Sequence, residues 1–150
     1  MKNINELTKG QSVIFSANSV EFKVKKIDVE TNTVFLHIED VSGSDRKTDA
    51  KNVFPVTEHV KEVSKLAKEK RDAIKSITPF GITINEKIMN KSFMGYWITM
   101  CEAEGDEKAL ETAKADFELF ITAIKDRIQI LQNLNIYGIQ FIAPMMPDED

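Results

Sequence analysis

Between Val20 and Glu39 the apolar residues recur at every second position, whereas from Asp106 to Leu134 they recur at every third or fourth. A period of two belongs to a strand with one buried face, and a period near 3.6 belongs to a helix. The chain therefore has to build a sheet first and a long helix later, which limits it to an α+β architecture.

The first period resolves into several short strands. Gln11 to Ala17 holds an apolar run and Asn18-Ser19 is a turn candidate. Val20, Phe22 and Val24 alternate with Glu21, Lys23 and Lys25, and then Lys25-Lys26 puts two lysines where one polar residue belongs. Such a doubling predicts a β-bulge, which bends a strand so that a small sheet can close on itself. Glu30-Thr31-Asn32 is the next turn. Val34, Leu36 and Ile38 give another inward face, with Thr33, Phe35, His37 and Glu39 pointing the other way. Ser42-Gly43-Ser44-Asp45 reads as a loop, and Asn52 to Val56 as a short closing strand in which Pro55 fits only an edge or an end.

Four or five short strands in about 50 residues predict a small antiparallel barrel. Gly10-Gln11-Ser12-Val13, Phe22-Lys23-Val24-Lys25-Lys26-Ile27-Asp28, Asn32-Thr33-Val34-Phe35-Leu36 and Asn52-Val53-Phe54-Pro55-Val56 follow one another in a pattern that resembles the Tudor-like and KOW-type small β-barrels. The resemblance covers residues 10–56, about a third of the chain, and is one of pattern. It implies a role in binding nucleic acid, peptides or partner proteins. The aromatic cluster of a methyl-lysine cage is missing.

Thr57 is a suitable N-cap for a helix running to Ile77, with Val60, Val63, Ala67 and Ile74 on one side and Lys61, Lys65, Lys68 and Lys75 on the other. Phe80–Glu86 and Phe93–Ala103 have strand character, the latter because Tyr96, Trp97, Ile98 and Thr99 favour strands. Gly105-Asp106 stops that segment and caps a helix of about 28 residues, some 42 Å long. A final strand is expected over Ile136–Ala143. The fold expected is a small antiparallel β-barrel over residues 1–56, followed by an α-β-β-α-β unit over residues 57–150 whose long helix, 106–134, docks with it.

Composition removes several function classes. The 150 residues are 42% hydrophobic and 29% charged, as in an ordinary folded domain. No apolar run reaches the length of a membrane span and the N-terminus lacks a signal-peptide pattern, so a cytoplasmic protein without membrane contact is expected. Cys101 is the single cysteine, which excludes an internal disulfide and a cysteine-based zinc cluster. Isolated glycines supply no phosphate-binding loop or dinucleotide fingerprint, and no Gly-x-Ser-x-Gly elbow occurs. Residues 1–76 carry 14 Lys plus Arg against 12 Asp plus Glu, whereas residues 77–150 carry 6 against 12. Only the first half could serve a polyanion.

Candidate chemistry is sparse. Cys101 needs a base, and His37 and His59 both lie in the other half of the sequence. Glu102, Glu104, Asp106 and Glu107 are a carboxylate cluster without the spacing of a calcium loop, better explained by helix capping. No catalytic residue, metal or cofactor is expected. The candidate binding residues are Lys23, Lys25, Lys26, Phe35, Lys61 and Lys65; if the lysines converge they could contact phosphates while Phe35 supports a base. Against this, Glu58, Glu62, Glu69 and Asp72 interleave with the helix lysines. The helical stripe is wider than one packing surface needs, and with Trp97 it predicts an oligomer interface of Trp97, Phe117, Phe120, Ile124, Ile128 and Leu131. The leading expectation is thus a non-enzymatic adaptor that binds a protein partner and forms a homodimer or larger assembly. The alternatives are a nucleic-acid binder using the lysines and a small-molecule or nucleotide-sequestering protein with a pocket at an oligomer interface.

Overall fold

The alternation of Phe22, Val24, Val34 and Leu36 becomes the filled face of a sheet. The computed structural model describes residues 4–15, 20–77, 82–84, 86–134 and 141–143. Strands β1 (Ser12–Phe15), β2 (Glu21–Asp28), β3 (Thr33–His37), β4 (Arg46–Asp49) and β5 (Val53–Pro55) form one antiparallel sheet in the order β4-β3-β2-β1-β5. The expected bulge is present: Val24 pairs with Leu36 but Lys26 pairs with Phe35, which leaves Lys25 as the extra residue. The turn before β3 also falls where expected, with Asn32 in the left-handed region at φ 54°. Asn18-Ser19 lies outside the described residues.

The barrel expectation is corrected. The sheet is open, with β4 and β5 as its two edges. Both edges are unsuited to pairing with each other: β4 is Arg-Lys-Thr-Asp and offers no apolar side chain, while Pro55 in β5 has no N–H to donate.

The pleat of the sheet divides two cores. Val13, Phe22, Val24, Val34, Leu36 and Val53 point to one face, where Ile4, Leu7 and Ala50 cover them. Ile14 and Phe54, cross-strand partners on β1 and β5, point to the other and join the helices. Helix α1 (Glu58–Ile77) begins as expected, the Val60 N–H donating to Thr57 Oγ1 at 3.1 Å. It contributes Val60, Val63, Ala67 and Ile74 to the second core.

The segment read as a strand over Phe93–Ala103 is instead the larger part of helix α2 (Glu86–Glu102). Phe93, Trp97, Met100 and Cys101 are all buried, at helical spacing, against α1 on one side and α3 (Glu107–Leu134) on the other. Burial on two sides outweighs the intrinsic strand preference of Tyr, Trp and Thr, which spans only about 1 kcal/mol per residue. The second unit is therefore α-β-α-α-β. Gly105, at φ 82°, makes the turn between α2 and α3, and Asp106 caps α3 as expected, its Oδ1 accepting the Ala109 N–H at 3.1 Å. Parts of the other two expected strands are found as β6 (Ile82–Ile84) and β7 (Phe141–Ala143), paired in parallel; the remainder of each falls outside the described residues or, at Glu86, within α2.

Trp97 touches more of these elements than any sequence pattern foretold. Its ring meets Phe54 edge-on at 5.2 Å between centroids, and its indole N–H donates to the buried Ser64 hydroxyl of α1 at 2.9 Å. Replacing Trp97 by Ala removes the packing and leaves Ser64 without this donor, so the expected loss of unfolding free energy is about 3–5 kcal/mol. Urea denaturation followed by circular dichroism measures it; a loss below about 1 kcal/mol contradicts this placement of Trp97.

Candidate anion-binding face

The side of the sheet that carries Ile14 and Phe54 is covered by helices only at its β1–β5 end. Across β2, β3 and β4 the same side bears polar residues, and the register fixes their neighbours. Lys26 on β2 and Lys47 on β4 flank Phe35 on β3, while Lys23 stands opposite His37 in the next row outward. Lys26 and Lys47 are exposed, and Lys23, Phe35 and His37 are half-buried. The Lys26 ammonium lies over the Phe35 ring, 5.5 Å from its centroid. Lys23 Nζ donates to Ser12 Oγ at 2.6 Å, which holds its charge on this face.

The bulge decides which lysine does what. Lys25, the extra residue, turns toward the β3–β4 loop and pairs with Asp45 at 3.0 Å. Lys26 thereby takes the position beside the ring. Asp28 and Asp49 lie at the opposite end of the face, where Asp28 accepts from the Glu30 and Thr31 N–H groups and Asp49 from the Lys51 N–H and the Asn32 amide. The cationic footprint is the half that runs from Lys23 to Lys47, with the exposed Glu21, opposite Ile14, at its outer end.

The β3–β4 loop that borders this half is stiffly tied. Ser44 is buried and its hydroxyl bonds the Ile38 N–H and reaches the carbonyls of Ile38 and Val41. Arg46 Nη1 donates to the carbonyls of Gly43 and Asp45 at 3.1 and 2.9 Å. A cavity of about 250 Å³ opens beside the Phe35 ring, lined by Lys25, Lys26, Phe35, Leu36, Asp45 and Arg46.

The structure brings together three of the six candidate binding residues, Lys25, Lys26 and Phe35, and keeps Lys23 one row away. Lys61 and Lys65 belong to α1, on the side turned from Val60, Val63 and Ala67; Lys61 lies 3.7 Å from Glu58 and Lys65 is exposed. Lys47 and Arg46 escaped notice in the sequence because β4 has no apolar alternation.

The expected oligomer interface needs correction. Trp97, Phe117, Phe120, Ile124 and Ile128 are each no more than 2% exposed within the single chain. Phe117, Phe120, Ile124 and Ile128 are covered by α1, α2 and the β6–β7 pair, so these side chains could meet another copy only if the core opened. The side chain of Leu131 lies outside the description. Leu119 and Ile130 are exposed on α3, about 16 Å apart along the helix, and such isolated apolar residues are ordinary surface features.

The other candidates are structural. Burial pushes the Cys101 thiol well above its usual range, the reverse of what a thiolate nucleophile needs. His59 Nε2 donates to the Met100 carbonyl at 2.8 Å, and Thr57 Oγ1 donates to Glu104 at 3.2 Å; both bonds tie the start of α1 to the end of α2. Among the described residues no three His, Cys, Asp or Glu side chains converge on a metal position, and no helix is long and apolar enough to cross a membrane. Comparison with protein-family models, curated proteins and solved structures returns no match.

Two outcomes follow from burial. Cys101 should resist an aromatic disulfide reagent at neutral pH in the folded protein and react at once in denaturant; fast labelling of the native chain contradicts its assignment to the core. Ile124→Asp should unfold the protein at every concentration, whereas Leu119→Asp should leave the melting temperature unchanged, as differential scanning fluorimetry across a dilution series would read.

Proposed function

We propose that this protein is a non-enzymatic binding module that recognises the phosphate backbone of a nucleic acid through the open face of its sheet. The observation that carries the reading is the row Lys26–Phe35–Lys47 with Lys23 and His37 beside it, three strands wide and left uncovered by the helices. Lys26 on β2 and Lys47 on β4 stand two strand spacings apart, about 10 Å in the pairing direction, and present donors to phosphates on either side of the ring. The overall charge of −4 does not oppose this, because at physiological salt charges more than about 8 Å away are screened. The expectation of a protein partner rested on the acidic balance of residues 77–150, and the proposed face lies wholly within residues 23–47.

The binding should be salt-dependent. For a labelled single-stranded oligonucleotide the logarithm of the association constant is expected to fall linearly with the logarithm of salt concentration, by about 0.7 per phosphate contacted. The double replacement Lys26→Ala, Lys47→Ala should flatten that slope by about 1.4. Fluorescence anisotropy measures both. Absence of binding at low salt, or a slope that the double variant leaves unchanged, overturns the reading.

A further inference from the structure

Resting on that phosphate-binding reading, we infer that the ligand is single-stranded and that one of its bases stacks on Phe35, in the cavity bordered by Lys25 and Lys26. Phosphate contacts alone do not call for an aromatic ring between two lysines; a base does. The group over the ring is the Lys26 ammonium, a flexible and solvated side chain on a cation–π contact of 5.5 Å. A base–aromatic stack is the stronger interaction, so an unpaired base displaces the ammonium, which is then left beside the sugar-phosphate of the same nucleotide.

The cavity has the chemistry for this exchange. The Phe35 ring gives it an apolar wall, while Lys25 and Lys26 give it a cationic border. Its one carboxylate, Asp45, is already paired with Lys25. The two carbonyl bonds made by Arg46 Nη1 tie its guanidinium to the β3–β4 loop at the edge of the cavity. A duplex keeps its bases stacked inside the helix and offers this ring none of them, so it engages the lysines alone.

The test compares three labelled probes of equal length by fluorescence anisotropy: oligothymidine, the same backbone with abasic sites, and a duplex. The native protein should bind oligothymidine about tenfold more tightly than either of the others. Phe35→Leu should bring oligothymidine down to the abasic level, Phe35→Tyr should keep the difference, and Lys47→Ala should weaken all three probes alike. Circular dichroism of each variant checks that the sheet is intact, and the tyrosine variant preserves the test if leucine disturbs folding. Equal, salt-dependent binding of all three probes overturns the stacked base while leaving phosphate recognition standing. Failure of every probe to bind at low salt overturns both.

Discussion

The contact between Trp97 and Phe54 organises this molecule. A tryptophan in the middle of α2 meets an aromatic ring on an edge strand, and its indole N–H is satisfied by Ser64 of α1, so one side chain joins the sheet to two helices. An unbonded indole N–H in a buried site is costly, and the serine removes that cost while the ring contributes the large apolar area. Around this point Phe93 is edge-on to Phe117 and Phe120 of α3, at 5.6 and 5.4 Å, which extends the same core to the long helix.

That anchorage also determines what is left open. Because Phe54 and Ile14 sit at the β1–β5 end, the helices cover one end of the outer sheet face and leave β2, β3 and β4 free. The uncovered part carries Phe35 among lysines, whereas β1 and β5 carry no lysine. The bulge at Lys25 then refines the surface by diverting one lysine to Asp45 and placing the next beside Phe35. The open face is thus formed by subtraction, from where the core packing stops.

Much of this was legible in the residues. The period of two located β2 and β3, the doubled lysine located the bulge, and Thr57 and Asp106 marked the starts of two helices through their side-chain oxygens. The misreadings have physical causes. Over Phe93–Cys101 every residue but Gly95 and Thr99 is apolar, so the 3.6 spacing of Phe93, Trp97 and Met100 was masked by side chains that fill two interfaces. In β4 the opposite holds: an edge strand paired on one side and solvated on the other needs no apolar face, and Arg46-Lys47-Thr48-Asp49 therefore left no pattern to find. The candidate site was half legible for the same reason, with Lys26 and Phe35 visible on patterned strands and Lys47 hidden on an unpatterned one.

The sequence by itself determined the α+β class, the bulge and the two helix starts, because each is decided by neighbours within a few residues along the chain. Tertiary structure alone decided that the sheet stays open, that α2 is a helix, and that Phe117, Phe120, Ile124 and Ile128 of α3 are buried within the chain. It also decided which lysines share a surface with Phe35. Each of these depends on which faces meet across long stretches of sequence, and a periodicity records that a side chain is buried without recording what buries it.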